Sequence, residues 1–159
     1  MTGQFQKDSP FSYAFDHYTD TVYRVAVHNT RDAHDAEDVT QDVFEKLLLC
    51  RKPFQNEEHL KAWLIRVTLN LCKNLRRDRR EVALTEDLPA PEGADGSVLD
   101  EVRRLPERYR NAIYLHYFEG YTAAEIAEMM GGTVNTALSR LRRGREELRK
   151  RMIGGFEDE

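Results

Sequence analysis

Residues 121–151 read YTAAEIAEMMGGTVNTALSRLRRGREELRKR. A short apolar-periodic stretch with Ile126 and Met130 on its packing side meets Gly131 and Gly132. A second stretch follows, with Val134, Leu138 and Leu141 read as its packing side and Arg140, Arg142, Arg143 and Arg145 outside. Glycine permits the positive backbone angles that a tight turn between helices needs. Two helices in that order, the second one basic, fit a helix-turn-helix whose second helix enters a DNA major groove while flanking cations hold phosphates. A double glycine alone would suit any helical hairpin. The arginines tip the balance, because guanidinium groups pair well with phosphate and with guanine edges. Arg149, Lys150 and Arg151 carry less weight, since cations near a helix C-terminus are favoured by the helix dipole.

The chain has 159 residues, 40% hydrophobic and 33% charged, with a formal net charge of -4. That length suits one domain or two small helical ones. An acidic mean argues weakly against nucleic acid, but the charge is segregated. Residues 61–80 carry 7 basic and 1 acidic side chain, whereas residues 81–100 carry none basic and 6 acidic. A polyanion responds to the local field more than to the mean. Cys50 and Cys72 are the only cysteines; both read as buried thiols of a reduced, cytoplasmic protein. The opening MTGQFQKDSP has no apolar core of the signal-peptide kind, and no run approaches the roughly 20 apolar residues of a membrane span.

Upstream, the periodicity predicts an all-α first module. A helix of about 11–27 carries Phe11, Phe15, Tyr18, Val22 and Val25 at helical spacing. A second, capped by Asp35, runs to Leu49 with Val39, Val43, Phe44 and Leu47 inward. Pro53 and Asn56 mark a turn. The longest helix, about 58–80, buries Leu60, Trp63, Leu64, Val67, Leu71 and Leu75 and ends in NLRRDRR. Residues 81–99 lose periodicity and gather acids, prolines and glycines, which reads as a flexible acidic linker. From Asp100, Val102, Leu105, Tyr109, Ile113 and Tyr117 mark helices divided at Pro106, which starts a fresh one. The expected architecture is two small helical domains, 8–80 and 100–153, joined by the linker, the second a helix-turn-helix.

Two further polar sets stand out. Lys73, Arg76, Arg77, Arg79 and Arg80 lie beside Asn70 and Asn74, offering cations for backbone and amides for base edges. A solvated charge run is the other reading. Asp35, Glu37, Asp38, Asp42 and Glu45 surround one helix, as a docking face or a solvated one; they spread too widely for a metal site. The five histidines have neither zinc-ligand spacing nor a nucleophile beside them, and no glycine-rich phosphate loop occurs. No catalytic residue, cofactor or metal is expected.

These motifs, in this order, resemble the extracytoplasmic-function sigma factors, the small two-domain initiation subunits of bacterial RNA polymerase. DAEDVTQDVFEKLL (35–48) resembles their polymerase-binding segment. LKAWLIRVTLNLCKNLRRDRR (60–80) resembles the helix that recognises and helps open the −10 element, and 105–141 resembles the −35-binding domain. The resemblance covers about four-fifths of the chain. It implies core polymerase contacts at Asp38, Gln41, Asp42 and Glu45 against the beta-prime clamp helices, with the beta flap as a second contact. It implies −10 contacts at Asn70, Lys73, Asn74, Arg76 and Arg77. It implies −35 contacts at Thr133, Asn135, Thr136, Ser139, Arg140, Arg142 and Arg143. An anti-sigma partner, free or membrane-bound, is implied too, without membrane insertion of the chain itself. The acidic linker would thread the polymerase channels later occupied by RNA. Three positions depart from the family's habit: Gly132 for an aliphatic residue, Ala137 for a larger one, and Leu138 for a lysine or arginine. Two rival functions fit the residues alone: a dimeric regulator using only the helix-turn-helix, and a sigma-like adaptor that occupies polymerase without reading promoters.

Overall fold

The computed structural model describes residues 9–78 and 97–157, with side chains as far as Met152 in the last helix. All seven described elements are α-helices, and they fall into two units on either side of the acidic segment.

The first unit holds α1 (Pro10–His28), α2 (Ala33–Leu49) and α3 (Glu57–Asp78). Each start is fixed by a side chain that accepts a backbone N–H left over at a helix N-terminus. Ser9 accepts from the Ser12 amide at 3.1 Å, with Pro10 preset for the first turn. Asp32 accepts from the Asp35 amide at 2.8 Å, and Asn56 from the His59 amide at 2.8 Å. The cap of α2 is therefore Asp32 and not Asp35. Asp35 lies a turn inside the helix, where it is buried. Ala14, Val22 and Ala26 of α1 meet Ala36, Val39, Val43 and Leu47 of α2 and Leu60, Leu64 and Cys72 of α3 in one core. Phe44 closes its edge, with Phe11 and Phe15 against it at 6.0 and 5.9 Å between ring centroids. Trp63, expected in the core, is only half-buried, with Phe54 set edge-on at 5.6 Å. Cys72 is buried as expected; Cys50 is half-buried at the end of α2.

The second unit holds α4 (Val98–Arg103), α5 (Glu107–Tyr117), α6 (Ala123–Met130) and α7 (Val134–Glu157). It begins before Asp100, because the Ser97 hydroxyl accepts from the Asp100 amide at 3.3 Å and starts α4 within the stretch expected to be linker. Residues 79–96, the rest of that stretch and the end of the basic run, lie outside the described residues. Pro106 is the residue before the first turn of α5. Thr122 and Glu125 form a reciprocal capping box on α6.

The packing side of α7 differs from the one expected. Val134 and Leu138 are exposed, whereas Ala137, Leu141 and Gly144 are buried. The cause is close approach. A Cβ at Gly144 would lie 2.7 Å from Cγ1 of Ile113, so α5 reaches the α7 backbone only because residue 144 has no side chain. Ala137 and Gly144 are therefore buried beside Leu141, while Val134 and Leu138 are turned outward. Tyr117, the last residue of α5, is likewise exposed, with its hydroxyl accepting from Arg145 at 3.3 Å. Buried Arg110 donates to the Leu105 carbonyl at 3.1 Å.

Candidate nucleic-acid and polymerase interfaces

On α2, Asp38, Gln41, Asp42 and Glu45 are all exposed. Their spacing puts them on one stripe, opposite the buried Val39, Val43 and Leu47. The structure thus brings these four together and removes Asp35 from the acidic face. Gln41 donates to Glu45 at 3.5 Å, and His34 stands 3.6 Å from the Asp38 carboxylate. The stripe continues into Leu49, which with Leu48 is exposed at the end of α2. Sequence reasoning passed over this pair, although three consecutive leucines cannot all face inward on a helix with 3.6 residues per turn.

On α3, Asn70, Lys73, Asn74 and Arg77 are exposed and again spaced i, i+3, i+4 and i+7, so amides and cations share one face. Arg76 lies to the side of that face and is half-buried. Arg77 stands 4.0 Å from the exposed Asp78 carboxylate. Exposed Arg66, one turn before Asn70, extends the same face and was not anticipated. Its signal was the same four-residue spacing, masked because the charge run proper begins at Lys73.

In the second unit, Gly131 and Gly132 take φ of 87° and 97°, the left-handed region that admits few side chains. The turn delivers Thr133 to the head of α7, where its hydroxyl accepts from the Thr136 amide at 3.1 Å and lies 3.1 Å from the Thr136 hydroxyl. Of the expected DNA contacts, Thr133 thereby caps the helix and Thr136 is paired with it. Asn135, Arg142 and Arg143 are exposed, while Ser139 and Arg140 are half-buried. Arg108 and Arg143 both bond the Tyr109 hydroxyl and hold its pKa below the usual tyrosine value. Among the described residues, no group of His, Cys, Asp and Glu could hold a metal ion, and no helix is long and apolar enough to cross a membrane.

Comparisons with known proteins cover both units. The family profile "Sigma-70 region 2" matches residues 14–82, and "Sigma-70, region 4" matches residues 95–148. The chain is 27% identical to the ECF RNA polymerase sigma factor SigW of Bacillus subtilis over 89% of its length and 88% of the relative's. It is 30% identical to the RNA polymerase sigma-H factor of Pseudomonas aeruginosa, covering 84% of this chain and 81% of that one. It is also 30% identical to the ECF RNA polymerase sigma-E factor of Haemophilus influenzae, covering 75% of each. In fold it is similar to the sigma factor RpoE, solved in complex with the anti-sigma factor NepR from Bartonella quintana. That match has a TM-score of 0.71 at 22% identity and covers 90% of this chain and 96% of RpoE.

Proposed function

The chain belongs to the extracytoplasmic-function sigma factors, which direct bacterial RNA polymerase to promoters for transcription initiation, and from that premise we propose a division of labour between its two units. The first unit, 8–80, docks on core polymerase with the α2 stripe of Asp38, Gln41, Asp42 and Glu45, set against the beta-prime clamp helices. Its α3 face, with Asn70, Lys73, Asn74, Arg76 and Arg77, captures the −10 element. The second unit, 100–153, places α7 in the −35 major groove and meets the beta flap. The acidic residues of 81–99 act in the channel that later holds RNA. The protein is a non-catalytic subunit that works in the cytoplasm, under an anti-sigma factor.

The observation that carries this reading is the separation of faces. The polar stripe on α2 and the basic face on α3 each lie opposite a buried apolar side, so both are available without loss of the core. No carboxylate–histidine pair or enclosed site need be invoked, because strand opening can be driven by binding. Unstacking costs about 1–2 kcal/mol per base-pair step, and captured bases on the α3 face must return that amount.

Run-off transcription with core polymerase, with and without the full chain, tests the reading on genomic fragments. Discrete promoter-specific transcripts that require the chain are the expected result. Core binding without transcripts would favour an adaptor, and tight DNA binding by the free dimer would favour a regulator.

A further inference from the structure

We propose that Val134 and Leu138 form an apolar reading strip on α7 that selects thymine by its C5-methyl group, an inference that rests on the assignment of α7 as the −35 recognition helix. Val134 is 45% exposed and Leu138 is 50% exposed. Spaced i and i+4, they lie one above the other on the helix, and exposed Arg142 continues the line a turn further on. The strip therefore runs apolar, apolar, cationic away from the glycine turn.

Isolated exposed aliphatics are ordinary on protein surfaces. Two observations set this pair apart. The packing of α7 is supplied by Ala137, Leu141 and Gly144, so Val134 and Leu138 are not frayed members of the core. The nearest hydroxyls are also engaged at the cap, because Thr133 accepts from the Thr136 amide and pairs with the Thr136 hydroxyl. At the head of the helix the apolar strip stands beside exposed Asn135 and the two threonines of the cap.

The major groove has one apolar feature, the thymine C5-methyl. A leucine pressed against a G·C edge would instead leave guanine acceptors and the cytosine donor without partners, which disfavours those pairs. Attraction to one base and desolvation of the others act in the same direction. The neighbouring cations, Arg142 and Arg143, make the occupant of this surface a polyanion in preference to an apolar protein partner.

The test uses holoenzyme assembled from the full chain and core polymerase. Promoter duplexes randomised across the −35 element are selected for binding. Each selected thymine is then replaced singly by deoxyuridine, which lacks only the methyl. Burial of one methyl is worth roughly fourfold in affinity, so deoxyuridine at one or two positions should weaken wild-type binding by about fourfold. Leu138→Ala should abolish the loss at one of them, Val134→Ala should do so at the other where two are found, and Leu138→Met should retain it. The deoxyuridine arm changes the DNA alone and stands whatever the variants do to folding. Selection of a −35 sequence in which every deoxyuridine is tolerated by the wild type would overturn the thymine strip and leave the −35 assignment intact. Selection of no −35 sequence would overturn both. If Leu138→Ala weakens thymine and deoxyuridine duplexes equally, or weakens core binding, the strip faces something other than a methyl group and the inference fails.

Discussion

Replacing Gly144 by alanine tests whether the second unit depends on direct backbone approach between α5 and α7. The added Cβ would lie 2.7 Å from Ile113 Cγ1, 3.0 Å from Ile113 Cδ1 and 3.5 Å from Tyr109 Cβ. Carbon atoms in contact prefer about 3.5–4.0 Å, so the first gap is short by about 1 Å. Ile113 is buried and branched at Cβ, and its Cγ1 is not a free end that can swing aside. Overpacking of that kind costs about 1–3 kcal/mol, while alanine gains about 1 kcal/mol over glycine in helix preference. The net expectation is a loss of about 1 kcal/mol, equivalent to a fall of about 4–8 °C in the melting temperature of a unit this small. The assay is far-ultraviolet circular dichroism of the full chain beside Trp63 fluorescence. Trp63 is the sole tryptophan and lies in the first unit, so its transition should stay in place while the other moves. In an Ile113→Ala background both offending carbons are gone, and Gly144→Ala should turn stabilising. An unchanged or raised melting temperature in the wild-type background would refute the packing argument.

Charge reversal by D38K/D42K should weaken core polymerase in a pull-down by about 2–5 kcal/mol if those carboxylates are paired at the interface, with stability changed by about 0.5 kcal/mol or less; equal core affinity would remove α2 from the docking surface. Thr133→Ala should lower stability by about 0.5–2 kcal/mol through loss of the cap, whereas Arg142→Ala should lower the salt slope of −35 duplex binding by about 1 and leave melting unchanged. Tyr13 donates to the Glu57 carboxylate, a hydrogen bond that raises the Tyr13 pKa to about 12 and lowers that of Glu57. The depressed carboxyl contributes stability present above its unfolded value of 4.5 and lost as pH falls; the raised phenol contributes stability present below 10 and lost as pH climbs through about 12. The melting-temperature gap between wild type and Tyr13→Phe should therefore be widest near neutral pH and shrink on acidification below 4.5; a gap independent of pH would exclude the pair as its source.

The elements that could be read from sequence are those set by local rules. Apolar periodicity placed α1 and the apolar face of α2, and the double glycine located a turn whose two positive φ values only a few residues tolerate. On α3 the buried side is rotated toward Ile65, Leu69 and Cys72, leaving Trp63, Val67, Leu71 and Leu75 half-buried. The misreading of α7 arises because its packing partner lies elsewhere in the chain. Hydrophobicity alone ranks Val134 and Leu138 above Ala137 and Gly144 for burial, yet both small residues are buried, and at Gly144 Ile113 leaves no room for a side chain. Arg110, which no sequence pattern singled out, is buried with the Leu105 carbonyl five residues back as an acceptor. Asp35 was expected as the cap of α2, but the Asp32 carboxylate meets the free amide, and it is the amide of Asp35 itself. For the candidate sites, Asp35 turned out to be buried and Arg76 to lie beside the α3 face, while Thr133 caps α7 by accepting from the Thr136 amide.

Charge segregation connects the two proposed DNA faces to dependence on polymerase. In a chain of net charge -4 the cations proposed to meet DNA are few and local, and screening at physiological salt confines their attraction to short range, so each face alone should bind weakly. Either face alone would thus spend little time on random DNA. Mounted together on core polymerase, the second contact becomes intramolecular, and its effective concentration multiplies the first without any new interaction. The gain vanishes when promoter spacing forbids both contacts at once. Selectivity for promoters over bulk DNA then follows from weak single contacts, and strengthening one face, as Leu138→Lys would, should raise affinity for unrelated duplexes while lowering discrimination.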